Sequence, residues 1–485
     1  MLEFADNVRR EVAARTTQKY KAEFGQFMTP SSVARFMASL FPPSTLQTCH
    51  LLDAGAGVGA LSCAFLDRWV EGEFGFQSVN ATAYEIDPTL HPHLIQHLTS
   101  YDSVQANIIA GDFIELATTQ NLLDQGYTHA ILNPPYKKIN SHSQHRLALR
   151  AVGIETVNLY SAFVALAVLT AAQGGQIVAI IPRSFCNGPY YRPFRDFILE
   201  RTAIRHMHLF ESRNKAFKDD DVLQENIIIR LERGGQQGPV TVSTSTDDSF
   251  SDLETHEHPF DRIIFQDDSE RFIHVPTMVE KSVEPSLIIR HTLTDLGIKV
   301  STGPVVDFRL KEHLRDMPES NTVPLLYPGH FSSHVTTWPQ AGMKKPNAIQ
   351  RNGETEKWLY PNGFYCVVRR FSSKEEKRRV VASVVDPDSF DGAPMLGFEN
   401  HLNLFHENKR GLPQDLARGL AVFLNSGIVD DNFRRFSGHT QVNATDLKQM
   451  KYPSREVLME LGKWAMQLGE ITQAMIDERL GTLTA

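Results

Sequence analysis

The sequence predicts an α/β fold for the first half of the chain, with parallel strands alternating with helices. Short apolar runs that end in turn residues recur there, and residues 51–52 and 130–132 are two of them. Three glycines alternate at Gly55, Gly57 and Gly59 before a predicted helix. In open α/β sheets the carboxyl ends of such strands share one edge, which is where ligands bind.

Length and composition limit the classes of protein that the chain can be. Its 485 residues, 41% of them apolar, are enough for two or three domains with real cores. The four cysteines show no C-x-x-C spacing, so we expect no disulfide framework, no metal site and a reduced, cytoplasmic setting. We also expect no signal peptide and no membrane span. The net charge of −8 argues against a uniformly basic surface but allows a local basic cleft.

Acidic residues follow three of the predicted strands. Asp53 precedes the glycine turn, where it would repel a pyrophosphate and favour a cationic ligand, so the turn is not a dinucleotide fingerprint. Glu85 lies one strand later, at the position that binds ribose hydroxyls in such folds, and Asp112 follows the third strand. Taken singly, each of these acidic residues is explained by an ordinary strand-to-helix turn. Together they can hold the sulfonium, ribose and adenine of S-adenosylmethionine.

The fourth strand ends in the turn Asn133-Pro134-Pro135-Tyr136. Prolines donate no backbone hydrogen bond, so the Pro134 carbonyl is left beside the side-chain oxygen of Asn133, and two acceptors suit an exocyclic amino group. Tyr136 adds an aromatic face, as for an extruded nucleobase. The turn predicts methylation of a base amine, although an Asn-Pro-Pro-aromatic sequence is equally found in plain rigid turns.

The segment 24–32 precedes these motifs and combines aromatic, hydroxyl, Gly and Pro residues. Thr29 or Ser31 is expected to cap a helix at 33–37. The same segment is also a candidate cover for a ligand.

Six segments resemble motifs of a known family, and they occur in that family's order. They are 24–30, 53–59, 84–87, 111–113, 133–136 and 158–163. The sequence resembles adenine-N6 DNA methyltransferases of the γ arrangement, which are restriction-modification methylases. The resemblance covers most of residues 21–232 and is looser at 300–309 and 437–445.

The resemblance implies a Rossmann-like class I S-adenosylmethionine-dependent sheet, seven-stranded and mostly parallel, followed by a mixed α+β target-recognition domain. It implies catalysis by Asn133, Pro134, Pro135 and Tyr136, with Tyr136 and Phe217 stacking on the base. The acidic run at 219–221 beside Phe217 departs from what a DNA pocket favours. The implied cofactor-binding residues are Phe27, Thr29, Pro30, Asp53, Gly55, Gly57, Glu85, Ile86, Asp112 and Phe113.

Changes of composition along the chain suggest its domain boundaries. A polar, breaker-rich passage at 234–249 separates a predicted catalytic domain (1–240) from a predicted DNA target-recognition domain (250–451). Residues 452–485 are predicted to form a helical segment.

The most basic passage, residues 368–379, lies in the predicted recognition domain. Arg369, Arg370, Lys374 and Lys377 are candidates for contacts with DNA phosphates. A solvated strand-turn face accounts for such a passage equally well.

The predicted function is site-specific methylation of adenine N6 in double-stranded DNA, with a cognate restriction endonuclease as a candidate partner. Methylation of cytosine N4, RNA or a protein glutamine is the alternative within the same class of enzyme. A non-catalytic DNA-binding specificity subunit is the alternative of another class.

Overall fold

The computed structural model describes residues 1–17, 28–119, 126–210, 225–266, 268–276, 289–332, 335–372, 376–436, 441–468 and 471–484. The chain folds as two compact units, Met1–Met278 (unit 1) and Val279–Ala485 (unit 2). Unit 1 is built around one large sheet, whereas unit 2 contains several small ones.

Unit 1 alternates strands and helices through its first two hundred residues, as the sequence predicted. Its described strands are β1 (Thr48–Ala54), β2 (Ser78–Glu85), β3 (Val104–Ala110), β4 (Tyr127–Leu132), β5 (Ala171–Pro182), β6 (Thr202–Phe210), β7 (Asn226–Arg233), β8 (Val240–Ser245) and β9 (Glu254–His258). Its described α-helices are α1 (Leu2–Arg15), α2 (Ser31–Ser39), α3 (Ala60–Val70), α4 (His91–Leu98), α5 (Phe113–Thr119), α6 (Gln144–Ala151), α7 (Leu159–Thr170) and α8 (Arg192–Arg201).

The nine described strands of unit 1 form one sheet in the order β3-β2-β1-β4-β5-β7-β6-β8-β9. Strands β1 to β5 are parallel, and β7 lies antiparallel between β5 and β6. This confirms the predicted α/β fold. The seven expected strands correspond to β1–β7, and the pair β8–β9 extends the sheet beyond β6.

Both faces of the sheet are buried, and β5 shows why. Ile177, Ala179 and Ile181 belong to one hydrophobic core, whereas Val178 and Ile180 belong to the core on the other face. Successive side chains of a strand point to opposite faces, so an unbroken apolar strand requires cover on both sides. Helices cover both faces of the sheet. They hold in place the edge at which the strand ends meet.

The polar passage at 234–249 lies inside unit 1. It contributes β8 to the sheet, and the chain then returns to the core, where Ile263 and Ile273 are buried. The Ile273 amide donates to the Cys186 carbonyl at 2.9 Å. The compact unit therefore extends to Met278, later than the boundary suggested by composition, because the hydroxyl-rich strand β8 pairs with β6 on one side and β9 on the other. The division of labour between the two predicted domains stays a prediction.

Unit 2 is a mixed α+β structure. Its described strands are β10 (Lys299–Thr302), β11 (Leu314–Arg315), β12 (Thr322–Leu326), β13 (Phe331–Ser332), β14 (Val335–Thr336), β15 (Ala348–Gln350), β16 (Leu359–Pro361), β17 (Tyr365–Arg369), β18 (Ala382–Val385), β19 (Met395–Phe398) and β20 (Leu402–His406). They form sheets in the orders β10-β20-β17-β18, β11-β15-β12-β19-β16 and β13-β14.

The described helices of unit 2 follow these strands. They are α9 (Gln414–Leu424), α10 (Gly427–Phe436), α11 (Ala444–Gln449), α12 (Arg455–Met466) and α13 (Gln473–Thr484). Residues 452–485 are thus largely helical, as predicted, and they share a core with the rest of unit 2. Within the described part of the chain, no helix is both long and apolar enough to cross a membrane.

Helices α9 and α12 are in close contact through glycines. A methyl group added at Gly419 would overlap the Leu458 carbonyl, and one added at Gly462 would overlap the Asp415 carbonyl. Only a residue without a Cβ allows two backbones to come this near. The predicted C-terminal segment is therefore joined to α9 along a backbone contact that side chains larger than hydrogen would break.

Candidate active site

Four predicted site residues lie at one edge of the unit 1 sheet. Asp53 is near the end of β1, Glu85 ends β2, Asp112 follows β3 and Asn133 follows β4. These strands are adjacent and parallel, so their carboxyl ends meet, and a cavity of about 220 Å³ opens there. The predicted residues that line it are Thr29, Gly55, Gly57, Glu85, Ile86, Asp112, Phe113, Asn133 and Pro135.

The glycine turn forms one wall of this cavity. Gly57 has a φ of +58°, which L side chains rarely adopt, and a Cβ built there would meet nothing within 4 Å. The Gly57 amide donates to the Glu85 carboxylate at 2.7 Å. The turn is therefore fixed by its neighbouring strand and leaves its backbone open to a ligand.

Glu85 is buried at the end of β2, and its two oxygens are each held by a backbone amide. Oε2 accepts from Gly57 and Oε1 accepts from Asp87, both at 2.7 Å. Burial raises the pKa of Glu85, and these two hydrogen bonds oppose that shift. Each carboxylate oxygen can accept two hydrogen bonds, so each retains one site for a further donor such as a hydroxyl.

Asp112 caps the helix that follows β3. Its Oδ1 accepts from the amides of Ile114 and Glu115, at 2.8 and 3.2 Å, and its Oδ2 lies 3.0 Å from Nε2 of His145. Burial opposes ionisation, but the bonds from His145 and the two amides outweigh it and lower the pKa of Asp112. Asp112 thus presents a negative charge to the cavity.

Two apolar side chains accompany these acids. Phe113 is 2% exposed and its ring lies 5.0 Å from Tyr84 and 5.2 Å from Phe163. Ile86 follows Glu85 and is 49% exposed. The cavity therefore combines acidic acceptors with apolar surface, which suits an adenosine.

Asp53 lies deeper than the sequence suggested. It is 1% exposed, and the structure places it outside the lining of the cavity, with Oδ2 accepting from the Ser62 hydroxyl at 2.6 Å. Its other oxygen is buried and has no hydrogen-bond partner among the described residues. Burial raises the pKa of Asp53 to about 7, against the bond from Ser62. A nearby cation would favour its ionised form.

The side chain of Asn133 is held in place by the segment before α2. Its Nδ2 donates to the Thr29 hydroxyl at 2.9 Å, which leaves Oδ1 as the acceptor end of the amide. The predicted capping role of Thr29 or Ser31 is wrong, because Pro30 is the N-cap and the Ser31 amide donates to Oδ1 of Asp6 at 3.2 Å. Thr29 contacts Asn133 of the turn at 133–136 instead, and the alternative role of its segment as a cover for a ligand stays a prediction.

The Tyr136 hydroxyl completes the turn. It donates towards Oδ1 of Asn133 at 3.2 Å and towards the Ile180 carbonyl at 3.3 Å. The ring packs edge-to-face with Tyr160, with centroids 6.2 Å apart, and burial raises the pKa of the Tyr136 hydroxyl. None of the described residues donates to the Pro134 carbonyl, which is consistent with the expectation that this oxygen is available. Three further predicted residues, Phe27, Phe217 and Lys374, lie outside the described residues.

Two methyltransferases match the chain over almost its whole length. Type II methyltransferase M.BsuBI of Bacillus subtilis is 53% identical over 479 residues, which cover 96% of this chain and 95% of the relative. The chain belongs to the type II methyltransferases. Type II methyltransferase M.PstI of Providencia stuartii is 42% identical, covering 98% of this chain and 95% of the relative. The family model described as Eco57I restriction-modification methylase matches residues 51–217.

Solved structures share the fold of this type II methyltransferase at low sequence identity. A nuclease-deletion mutant of the type ISP restriction-modification enzyme LlaGI in complex with a DNA substrate mimic has a TM-score of 0.53 at 12% identity, over 91% of this chain and 54% of that one. A DrdV–DNA complex also has a TM-score of 0.53 at 12% identity, over 97% and 60%. At this identity the likeness extends to the fold alone.

The cofactor of this type II methyltransferase is S-adenosylmethionine, as the sequence predicted. The residues present fit it. Glu85 retains two acceptor sites for hydroxyls, Gly57 leaves its backbone open, and Oδ1 of Asp53 is buried without a hydrogen-bond partner among the described residues. The assignment of each residue to a part of the cofactor stays a prediction.

Sequence reasoning missed two polar residues of the cavity wall, Lys137 and His145. His145 lies on α6, twelve positions after Asn133, and no motif or periodicity marks it. Phe163 also lines the cavity, and it lay in a segment that was matched to the family without a role. A ligand-facing side chain on a connecting helix gives no signal in a single sequence.

The basic passage of unit 2 is largely engaged in internal contacts. Arg369 is paired with Glu376, and the Arg370 guanidinium donates to the Asn400 carbonyl and to Gln441, both at 3.2 Å. Lys377, by contrast, is exposed and has no hydrogen-bond or ion-pair partner among the described residues. The predicted DNA contacts of Arg369, Arg370 and Lys377 stay predictions.

Proposed function

We propose that this chain transfers a methyl group from S-adenosylmethionine to the N6 amino group of adenine in double-stranded DNA. The observation that carries the proposal is the place of Asn133 in the cavity wall, and the acceptors we propose are its Oδ1 and the carbonyl of the next residue, Pro134. A primary amine on an aromatic ring has two N–H donors in one plane, and two neighbouring acceptors match them.

The contacts of Asn133 support this use of its side chain. Nδ2 of Asn133 donates to the Thr29 hydroxyl, and the Tyr136 hydroxyl donates towards Oδ1. Within the proposal, Oδ1 of Asn133 accepts one proton of the substrate amine. An acceptor held by two neighbours needs little reorganisation when the amine reacts.

The chemistry requires little acid-base machinery from the chain. The adenine amino lone pair is delocalised into the ring, and acceptance of both protons by Asn133 and Pro134 favours a more tetrahedral, nucleophilic nitrogen. When bound, S-adenosylmethionine supplies an electrophilic methyl group on a sulfonium. Alignment of the two reactants can contribute about 7–11 kcal/mol, and the extra proton can leave to solvent.

Unit 2 supports duplex DNA as the substrate, because extrusion of a base costs a few kcal/mol that a second DNA-contacting region must offset. We propose that unit 2 provides this contact, that a cognate restriction endonuclease accompanies the enzyme and that it acts in the cytoplasm. The intact cofactor cavity argues against a non-catalytic specificity subunit.

Sequencing of DNA from cells that express the protein, with detection of modified bases, tests the proposal. We expect N6-methyladenine at one short sequence, absent from cells that express Asn133→Ala. Asn140→Ala, an exposed residue on the same connecting segment, is the matched control and should retain the mark. N4-methylcytosine would support the alternative base, and methyl transfer only to RNA or protein would overturn the proposal.

A further inference from the structure

His145 is a titratable side chain in the wall of the cavity, and neither the motifs nor the proposed chemistry uses it. It is the second residue of α6, and its Nε2 lies 3.0 Å from Oδ2 of Asp112, with 30% of the His145 side chain exposed. The helix does not depend on this contact for its position. Ser143 caps it, and Arg146 and Arg150 both pair with Glu155 at its other side.

The contact changes what Asp112 can offer to a ligand. Oδ1 already accepts from two backbone amides, and Oδ2 accepts from His145. Each carboxylate oxygen can accept two hydrogen bonds, so Oδ1 is fully occupied and Oδ2 retains one free site. Since both oxygens are held, the carboxylate cannot rotate to present a different edge.

The charges around the pair agree with an ion pair. The bond to Asp112 raises the pKa of His145 against its partial burial, Glu115 raises it further, and Lys137, which also lines the cavity, lowers it. Asp112 is shifted in the opposite direction, towards the ionised form. Ionised Asp112 is a pure acceptor, which cannot donate to a ligand carbonyl.

We propose that His145 is a positioning residue that fixes Asp112 as a one-site acceptor for the exocyclic amino group of the cofactor adenine, and so selects adenine over hypoxanthine. This inference rests on the proposed role of Asp112 and not on which base of the nucleic acid is methylated. An amino group donates to the remaining site on Oδ2. The oxygen that replaces it in an inosine cofactor brings a second acceptor against a carboxylate that cannot turn away, and polar sites of this kind discriminate strongly between such analogues.

The test measures dissociation constants of S-adenosylhomocysteine and S-inosylhomocysteine by calorimetry, with the full chain and without nucleic acid. We expect His145→Ala to weaken S-adenosylhomocysteine about tenfold and to change S-inosylhomocysteine less than about threefold, so that discrimination shrinks. His145→Gln, which keeps an N–H donor, should restore much of it. His142→Ala is the matched control, since His142 is exposed three residues earlier.

A pH series separates positioning from a merely structural role. Affinity of the parent for S-adenosylhomocysteine should fall as the pH rises through the raised pKa of His145, because the neutral ring holds the carboxylate less firmly, and His145→Gln should lack this component. Equal weakening of both ligands by His145→Ala, or unchanged S-adenosylhomocysteine affinity, would overturn the inference. Failure of the proposed adenine methylation would appear in the modified-base sequencing and leave these binding results intact.

Discussion

The cofactor cavity of unit 1 and the basic passage of unit 2 were both predicted from short runs of charged residues, and they use those charges differently. In the cavity, Glu85 and Asp112 are bonded to backbone amides and still line the open space. In the basic passage, Arg369 and Arg370 direct their guanidinium groups at Glu376, Asn400 and Gln441 of their own unit. The residues of the cavity differ from those of the basic passage in their position at the ends of parallel strands, and not merely in their charge.

The difference follows from geometry. Parallel strands bring their carboxyl ends to one edge whatever the side chains are, so polar residues there meet each other and a ligand. A run of basic residues on a strand and turn has no such constraint, and arginine readily satisfies its donors on nearby carbonyl groups. Four experiments test this contrast, from the largest expected effect to the smallest.

Asn133→Ala should reduce the rate of methylation by about 10²–10³, because it removes an acceptor directed at the reacting amine. Binding of S-adenosylmethionine and the melting temperature should stay near those of the parent, since Asn133 lies in the wall of the cavity and not in the hydrophobic core. Single-turnover methylation and calorimetry measure the two properties. Loss of cofactor binding together with activity would instead show that the turn is structural.

A fragment of residues 1–278 should fold and bind S-adenosylmethionine but methylate its duplex poorly, because the contacts that offset base extrusion are missing. A fragment that ends at Ser249 should be unstable, since it removes Ile263, Ile273 and Val275 from the core, at about 1.5–3 kcal/mol for each side chain. Cofactor binding and thermal melting of both fragments decide this. Full site-specific methylation by residues 1–278 would contradict a DNA-binding role for unit 2.

Asp53→Asn should flatten the dependence of stability on pH. Burial raises the pKa of Asp53 to about 7, so the folded protein holds a proton that the unfolded chain, with an ordinary pKa of 3.8, has lost. The free energy of unfolding should therefore fall as the pH rises from about 4 to 7, by up to about 1.4 kcal/mol per unit for this group. The variant should lack this component in melting experiments across that range.

Asp67→Asn is the control of opposite sign, because bonds from Tyr101 and the Leu2 amide overcome burial and lower the pKa of Asp67. Its loss should remove stability that the parent gains as the pH rises through the acid range. Identical pH profiles for the parent and Asp53→Asn would show that Asp53 ionises with its ordinary pKa in the folded protein.

Lys377→Ala should lower the salt dependence of duplex binding by up to about one unit of slope and leave the melting temperature unchanged, as expected for an exposed phosphate contact. Arg370→Ala should lower the melting temperature, because its donors hold the Asn400 carbonyl and Gln441. Filter binding across a salt series measures the slopes. If Arg370→Ala instead lowers the salt dependence of duplex binding and leaves the melting temperature unchanged, Arg370 contacts DNA.

The parts of the structure that the sequence predicted depend on local patterns. The α/β fold and the sheet edge at the cavity were predicted from apolar strands that are followed by Asp53, Glu85, Asp112 and Asn133. Their positions followed from strand period and from turn residues, which act over a few positions.

Contacts between distant segments were not predictable in this way. Thr29 and Asn133 are 104 positions apart, and nothing in either segment indicates that the two side chains bond. Likewise, Val240 and Val242 face the core from a strand whose other residues are Thr and Ser, so the passage has the composition of a linker although it completes a sheet. The composition of a segment indicates how well water solvates it, whereas its pairing in a sheet depends on a partner strand elsewhere in the chain.

The glycine contact between α9 and α12 bears on how specificity in this family can be engineered. A chimera that exchanges the predicted recognition domain at 451, where composition suggested an end, would place a foreign α9 against the native α12. Any residue larger than glycine at 419 or 462 would then meet a backbone carbonyl. Grafts should carry the chain from the start of unit 2 through Met466, so that the two helices are inherited as one pair.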